Sequence, residues 1–435
     1  MSDDSTPEGG SAGSNGGSTP SANHTPEAAA AGAVAPTVLS RKELRKQKGS
    51  PRSWFVALGG VGVLIVAAVV ALVITSKGTP SSASKPPAPV TPITALPSTT
   101  TTAPAPTCPL TGTPPPGGTV PARPALGVKI GNYPDDRPSA GLNQADVVFE
   151  EPVEGGITRL VAVFQCQSPA LVGDIRSARQ PDVGIMSQLS KPIFVHAGGI
   201  DPVIALLQAA PLTDENLQSG APASAVIQQP GRYAPYADFA NTAALWALDP
   251  GDTTPPAPIF TYSAAPPAGS VAGSGGSVHI PFSDTSDVTW TWNPAANNYL
   301  RSYATGPDKL IDGSQSAANN VVVMTVQTSN GPWLENDVGG LEVQVPNTGN
   351  GPLVVLRNGV AITGTWTRTS LTQPPTLTAT DGTPITLQPG NTWEELVPSG
   401  IAVTTAPGPA TALPTNPTTT TSTTVPAKAA AKTTQ

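Results

Sequence analysis

The longest apolar stretch of the chain lies at residues 54–74 and contains no charged side chain. It is apolar on all sides, without the stripe that packs a soluble helix onto a core. About 20 successive apolar residues cross a bilayer as a helix, and Trp54 begins the run where interfacial aromatics are enriched. The pattern predicts one transmembrane helix. A cleaved signal peptide, whose apolar region is normally shorter, is the alternative.

Basic residues concentrate just before this stretch. They are Arg41, Lys42, Arg45, Lys46, Lys48 and Arg52, against the single acid Glu43. Only Lys77 flanks the other end. Because positively charged flanks stay in the cytoplasm, we expect a single-pass protein of the cell membrane. Its N-terminus would lie in the cytoplasm and its C-terminal body outside.

Three segments have few large apolar side chains and are not expected to fold. Residues 1–53 are a cytoplasmic tail that ends in the basic cluster, residues 75–122 are a Pro/Thr/Ser-rich stalk, and residues 401–435 are a Thr/Pro/Ala tail. Such segments bury too little apolar surface to offset the entropy of ordering. A Pro-rich stalk would act as a semi-rigid spacer.

The rest of the chain predicts two folded domains of an α+β protein. We place an N-terminal mixed α/β domain at residues 123–255, a linker rich in Pro, Gly and Ser at 256–286, and a C-terminal domain at 287–400. Runs of β-branched residues predict that the C-terminal domain is mostly antiparallel β. The Asn358-Gly359 pair within it is a strong signal for a two-residue hairpin turn.

A β-hairpin is predicted in the N-terminal domain, with strands at 146–154 and 157–165 and a two-residue turn at Gly155-Gly156. Side chains alternate between the two faces of a strand. One face is expected to enter the core through Val147, Phe149, Val153, Leu160, Ala162 and Phe164.

The other face of this hairpin would carry Glu150, Glu154 and Arg159. Two carboxylates beside an arginine allow two interpretations. The simpler one is an ion-pair cluster that stabilises the hairpin across its strands. The alternative is an acid/base pair whose pKa values are shifted apart. We favour the ion-pair cluster, because the spacing alone does not require catalysis.

Two arginines follow at Arg176 and Arg179. The planar guanidinium suits carboxylate or phosphate groups, so both side chains are candidates for an anion-binding site. They could equally pair with Asp174, Asp182 or the glutamates of the hairpin.

His196 is predicted at the point where a buried strand at 193–195 passes through a glycine turn into a helix that begins at Asp201-Pro202. Backbone N–H groups at a helix start can receive an anion, and His196 could carry a proton there. A lone histidine at a strand end is more often simply hydrogen-bonded, and we favour that interpretation.

The composition of the chain argues against nucleic acid as a partner and against a cysteine-based metal site. The chain has 435 residues and a net charge of −7, with only 12% charged residues. Nucleic acid is therefore not an expected partner, because its phosphates need a basic face. Cys108 and Cys166 match no metal-binding spacing. Outside the cytoplasm they either form one disulfide that closes a long loop or remain separate thiols.

Six stretches of the chain carry a resemblance to a known family. They lie at residues 137–165, 175–179, 195–199, 319–327, 354–368 and 381–398. With them the chain resembles the YerB-like family of bacterial lipoproteins, which has an N-terminal domain and a β-rich C-terminal domain. The resemblance implies an extracytoplasmic α+β protein, and it implies no activity. The chain departs from the family pattern at Gly131, Tyr236 and Asp308. The last two replace histidines, which weakens the case for a metal site.

The expected function is that of a membrane-anchored envelope protein that binds a polar or anionic wall ligand, or an envelope partner protein. The candidate ligand-binding residues are Asn132, Arg137, Glu150, Glu154, Arg159, Arg176, Arg179 and His196. The alternative is a hydrolase of cell-wall material with Glu150 or Glu154 as acid/base and His196 assisting. No metal or cofactor is expected.

Overall fold

The computed structural model describes residues 105–335 and 339–416. The predicted transmembrane helix at 54–74, the segments that flank it up to residue 104, and residues 417–435 lie outside the described residues. Within the described ranges, no helix is both long and apolar enough to span a membrane.

Ten strands form one mixed sheet that contains strands from both predicted domains. From one edge to the other they are β19 (Thr376–Ala379), β18 (Val360–Arg368), β17 (Gly349–Arg357), β14 (Asn320–Val326), β20 (Thr392–Pro398), β2 (Val147–Pro152), β3 (Thr158–Phe164), β1 (Leu126–Gly131), β5 (Ile193–His196) and β6 (Thr213–Asn216). We call this the main sheet.

The C-terminal strand β20 lies in the middle of the main sheet. It pairs in parallel with β14 on one side and with β2 on the other. Parallel strands cannot be joined by a tight turn, and here most of the described chain lies between β2 and β20 in sequence. Backbone hydrogen bonds of β20 therefore connect the N-terminal strands directly to the C-terminal ones.

The remaining described strands form smaller antiparallel sheets. The second sheet contains β12 (Gly306–Pro307), β11 (Asn298–Tyr303), β10 (Ser286–Asn293), β9 (Ser277–Ser283) and β21 (Thr404–Ala406), with β13 (Ala317–Ala318) paired to β11. A separate hairpin joins β15 (Ser329–Leu334) to β16 (Leu341–Gln344). A small sheet has the order β4 (Val172–Gly173), β8 (Asp238–Ala240), β7 (Val226–Gln228).

Helices are few and short in the described chain. The α-helices are α1 (Pro181–Ser187), α2 (Asp201–Ala209) and α3 (Thr242–Trp246). Single 3₁₀ turns lie at Pro116–Gly118, Pro134–Asp136, Leu142–Gln144, Glu154–Gly156 and Ala221–Ala225. Helix α2 begins at the predicted Asp201-Pro202 pair, where proline is tolerated because the first N–H groups of a helix have no internal partner.

Apolar side chains cover both faces of the main sheet. In β3, Leu160, Ala162 and Phe164 pack in one core with the second sheet, whose Trp290 is completely buried. Val161 and Val163 pack in a second core with α1 and α2. A strand covered on both sides reads as a nearly continuous apolar run, which is the pattern of β3.

The predicted register of the β2–β3 hairpin is wrong by one residue. The predicted two-residue turn would place Pro152 opposite Arg159, but Glu151 lies there, and Phe149 pairs with Val161. The turn contains the three residues Glu154–Gly156, with the N–H of Val153 bonded to the carbonyl of Ile157. A shift of one residue moves side chains to the opposite face, so Arg159 does not share a face with Glu150.

The C-terminal predictions are confirmed. Asn358 and Gly359 join β17 to β18 in an antiparallel hairpin, in which Arg357 pairs with Val360. Both turn residues have positive φ angles, 48° and 71°, as a two-residue turn of this type requires. The C-terminal half is β-rich and mainly antiparallel.

The two cysteines form a disulfide, which resolves the alternative left open by the sequence. Cys108 and Cys166 are bonded across a separation of 58 residues. The bond ties the start of the described chain to the end of β3. Asp146 lies beside it and accepts hydrogen bonds from the backbone N–H groups of Gln165 and Cys166.

Candidate functional site

Glu150 lies in a buried network between the main sheet and the second sheet. Its Oε2 accepts a hydrogen bond of 2.6 Å from Nη2 of Arg301, a residue of β11. Its Oε1 accepts from Thr158 at 2.7 Å and from the side-chain amide of Asn132 at 3.1 Å. Glu150 and Arg301 are both completely buried, so this pair is a structural link between sheets.

A second carboxyl group lies opposite Glu150. Glu395 of β20 pairs with Glu150 in the parallel register and accepts a 2.7 Å hydrogen bond from Trp290 Nε1. Burial, followed by the negative charge of Glu150, raises the pKa of Glu395 well above its usual value. The buried surroundings of Glu395 thus favour its neutral form, while the guanidinium of Arg301 pairs with Glu150 at 2.6 Å and with Asp308 at 2.9 Å.

Asn132 and Arg137 complete this network. The guanidinium of Arg137 lies 3.5 Å from the centre of the Tyr303 ring and donates to the carbonyls of Asn132 and Thr285. The hydroxyl of Tyr303 donates to Asn132 Oδ1 at 2.6 Å. Both residues thus connect the main sheet to the second sheet.

Glu154, Arg159 and Arg179 form a separate charged cluster. Arg179 binds both carboxylate oxygens of Glu154, with Nε 2.7 Å from Oε2 and Nη2 in contact with Oε1. Nη2 of Arg159 lies 4.0 Å from the same carboxylate. Arg179 also pairs with Glu335 at 3.2 Å. Glu154 thus lies in an ion-pair cluster that includes Arg159, as the favoured prediction had it, whereas Glu150 pairs with Arg301 of the second sheet and not with Arg159.

The pKa values of the two glutamates in this cluster move in opposite directions. Burial alone would raise the pKa of Glu154, but the hydrogen bonds and charge of Arg179 outweigh it and lower the pKa to about 2. Burial raises the pKa of Glu335 to about 7, against the opposing charge of Arg179. Glu154 thus stays ionised, whereas Glu335 titrates near neutral pH.

A buried lysine extends this cluster. Nζ of Lys129 contacts Glu151 and lies 2.7 Å from Asp182 Oδ1. The other oxygen of Asp182 accepts from the backbone N–H of Arg179 at 2.6 Å. Because Glu151 and Arg159 are paired in the hairpin register, these charges all lie on the face of the main sheet opposite to Glu150.

His196 lies apart from both networks. Its ring is completely buried, with Nδ1 2.7 Å from the carbonyl of Gly198 and Nε2 2.8 Å from Asp214 Oδ1. Both ring nitrogens are therefore occupied by partners within the fold. This geometry favours the simpler interpretation, a hydrogen-bonded histidine at the end of β5.

Arg176 is partly exposed and lies beside the turn between β7 and β8. Its Nη1 donates to the carbonyl of Pro235 at 2.7 Å, and its Nε lies 3.5 Å from Asp136 Oδ1. The guanidinium lies 5.0 Å from the ring centre of Tyr236. Arg176 therefore has different partners from Arg179, whose guanidinium binds Glu154 in the buried cluster.

An open cleft of about 630 Å³ lies beside the Glu154 turn. Its lining includes Glu154–Gly156, Ile157, Phe282, Ser329, Asn330, Leu341, Val343, Pro398 and Ile401. Glu154 is the member of the predicted site that reaches this cleft. The candidate ligand-binding residues do not line one groove, because the hairpin register and the two cores distribute them over different faces.

Several charged residues of these networks were not foreseen from the sequence. Lys129 interrupts the apolar strand β1, and Arg301 alternates with buried Tyr299 in β11. A charge at a core-facing strand position must have a buried partner, so both were recognisable as paired ions. Their partners come from distant segments and could not be recognised in this way.

Two family models match the chain in sequence order. "Protein of unknown function (DUF3048) N-terminal domain" matches residues 110–253, and the corresponding C-terminal domain matches residues 278–393. The chain belongs to the DUF3048 family. The predicted YerB-like membership is thereby confirmed, and both charged networks of this DUF3048 protein connect the two family domains.

Two comparisons with YerB of Bacillus subtilis agree with this assignment. "Putative lipoprotein YerB" is 45% identical over 76 residues, which are 18% of this chain and 23% of that protein. The aligned segment thus spans less than a quarter of the relative. The crystal structure of YerB is similar to this DUF3048 protein with a TM-score of 0.57 and 21% identity, and covers 68% of this chain and 99% of that one. The likeness shows a shared fold.

Proposed function

We propose that this DUF3048 protein is a membrane-anchored, extracytoplasmic protein of the cell envelope. The basic cluster and the apolar run at 54–74 support a single-pass anchor with a cytoplasmic N-terminus. The Cys108–Cys166 disulfide supports an oxidising compartment, because such bonds are rare in the cytosol. The lipoprotein name of its Bacillus subtilis relative agrees with a tethered envelope protein.

Within the envelope, the proposed role is to bind an extended peptide segment, such as the stem peptides of the wall, in the cleft beside Glu154. One observation carries this proposal: the cleft has a volume of about 630 Å³ and walls of mixed character. Ligand pockets typically enclose about 300–1,000 Å³. The side chains of Phe282, Leu341 and Ile401 can contact aliphatic groups, while Ser329 and Asn330 offer polar partners to a peptide backbone.

The charged groups favour binding over hydrolysis at this cleft. Glu154 is ionised and held by Arg179 through both carboxylate oxygens, so it is poorly suited to donate or accept a proton in a reaction. Glu150 is completely buried on the opposite face of the sheet, and both ring nitrogens of His196 are occupied. The hydrolase alternative therefore has no assembled acid/base pair among its candidate residues.

Co-sedimentation with purified cell-wall sacculi tests the proposal. The full-length protein in detergent micelles should sediment with the sacculi, and Leu341→Arg should weaken the association about tenfold by placing a charge in the cleft. Leu371→Arg is the matched control, because Leu341 is 39% and Leu371 36% exposed and Leu371 does not line the cleft.

Three results would contradict this function. The first is that the wild-type protein stays in the supernatant, and the second is that both arginine variants behave alike. The third is the release of soluble wall fragments during incubation, which would favour hydrolysis. Free stem peptide added in excess should displace the wild-type protein from the sacculi.

A further inference from the structure

One wall of the cleft beside Glu154 is the hairpin of β15 and β16, which contributes Ser329, Asn330, Leu341 and Val343 to the lining. Its two strands pair with each other and with no other strand of the described chain. None of the residues of these two strands, all of which the structure describes, belongs to either apolar core. Elements with few buried apolar contacts open more readily than the core around them, so this hairpin is the wall of the cleft that can move.

Arg179 connects this wall to the opposite one. Its Nε and Nη2 bind the carboxylate of Glu154 in the opposite wall, and its Nη1 lies 3.2 Å from Oε2 of Glu335, which directly follows β15. The backbone N–H of Glu335 donates to the carbonyl of Gly340 at 2.8 Å, which fixes Glu335 within the hairpin. Only 1% of its side chain is exposed. One guanidinium thus ties both walls of the cleft together.

A second acid of the hairpin is buried near the same guanidinium. Glu342 of β16 is completely buried, and burial raises its pKa, as it does the pKa of Glu335. The charged groups that face Glu335 are the cations Arg179 and Arg159 and the acids Glu154 and Glu342. With both hairpin acids ionised, three carboxylates would share two guanidinium groups. The hairpin, when it is seated on this cluster, therefore favours a proton on its acids.

The direction of the pH effect follows from the two environments of Glu335. In the seated hairpin the pKa of Glu335 is about 7, because burial outweighs the attraction of Arg179, and in water it returns toward 4.5. The seated form binds the proton more tightly, so it is favoured at about pH 5 and loses this advantage as the pH rises through about 7. Glu154, with a pKa of about 2, stays ionised over this range and does not contribute to the change.

We propose that the β15–β16 hairpin is a pH-sensitive wall of the cleft, seated on Arg179 in mildly acidic surroundings and released toward neutral and alkaline pH. A neutral carboxyl group of Glu335 still accepts a hydrogen bond from Arg179 without the cost of burying a charge. The carboxylate regains its hydration when the hairpin moves outward. Binding in the cleft is then tightest in acid, a consequence that rests on the proposed peptide-binding function, whereas the movement of the hairpin does not.

Hydrogen exchange of the full-length protein in detergent micelles, followed by mass spectrometry between pH 5 and 8, tests the movement. Protection factors, which correct for the pH dependence of intrinsic exchange, should fall about tenfold for β15 and β16 between pH 5 and 7. Glu335→Gln is neutral at every pH. It should remove most of this fall and leave β14 and β20, in the middle of the main sheet, as in wild type. Asp284→Asn, which removes an exposed carboxylate, is the matched control and should behave as wild type.

Equal protection of the hairpin at pH 5 and 7 would overturn the inference, as would an unchanged fall in Glu335→Gln. Sedimentation with sacculi tests the consequence for the cleft. Wild type should bind more tightly at pH 5 than at pH 8, by up to about tenfold, and Glu335→Gln should show a clearly smaller difference. The same pH dependence in both would contradict this consequence. Failure to sediment at any pH would contradict the peptide-binding function, while hydrogen exchange still decides the movement of the hairpin.

Discussion

Glu150 of β2 and Glu395 of β20 lie directly opposite each other in the parallel pair that joins the two DUF3048 domains. Both side chains are completely buried. Two buried carboxyl groups at such a position cannot both carry a charge without a large cost. Buried Arg301 already pairs with Glu150 at 2.6 Å and with Asp308 at 2.9 Å, so a charge on Glu395 would add a third buried carboxylate, and the neutral form of Glu395 is favoured.

Substitutions at these two glutamates should therefore have unequal effects. Glu150→Gln removes one of the two anions that pair with buried Arg301 and should lower the free energy of unfolding by about 3 kcal/mol. Glu395→Gln replaces a neutral acid by a neutral amide of similar shape and should change it by less than about 1 kcal/mol. Urea unfolding at pH 7 measures both. Equal losses would show that Glu395 is ionised in the fold.

The Glu154–Arg179 pair should stabilise the protein except in acid. The folded-state pKa of Glu154 is lowered to about 2, from 4.5 in the unfolded chain, so its contribution is complete above about pH 4.5 and disappears as the pH falls toward 2. Glu154→Gln should cost about 3 kcal/mol at pH 7 and less at pH 3. The exposed Asp284→Asn is the control and should have little effect at either pH. A loss that is independent of pH would contradict this assignment.

Asp174 should stabilise the folded protein at low pH rather than at high pH, the reverse of Glu154. Its folded-state pKa is raised to about 8, from 3.8 in the unfolded chain, so the folded state binds the proton more tightly. The contribution of Asp174 to stability is complete below about pH 4 and is lost as the pH rises through about 8. Asp174→Asn removes this group and should make the fall in thermal unfolding temperature between pH 5 and 8 less steep than in the wild-type protein. An unchanged pH profile would contradict the prediction.

The disulfide should contribute strongly to stability. Cys108 and Cys166 close a loop with a sequence separation of 58 residues, and restricting the unfolded chain over this length is worth about 4 kcal/mol. The double variant Cys108→Ser, Cys166→Ser should unfold at a clearly lower temperature than the oxidised protein. Reduction of wild type should reproduce that shift, and the variant should no longer respond to reductant.

Local features were predictable from the sequence because short-range physics controls them. Asn358 and Gly359 form the predicted turn because they tolerate positive φ. Helix α2 begins at Asp201-Pro202 because proline fits only the first turn. The six stretches that resemble YerB led to the correct family, and the β-rich, antiparallel C-terminal half followed from its β-branched runs.

Tertiary structure alone decided how the predicted site residues are distributed. Both faces of the β2–β3 hairpin are apolar, so alternation could not distinguish one register from the next, and the three-residue turn moved Arg159 to the face of Glu151. The pairing of β2 with β20 brings Glu150 to Glu395 across most of the described chain. Turn types and apolar runs depend on neighbouring residues and are encoded locally. Register and the partners of buried charges depend on long-range packing, which no local pattern contains.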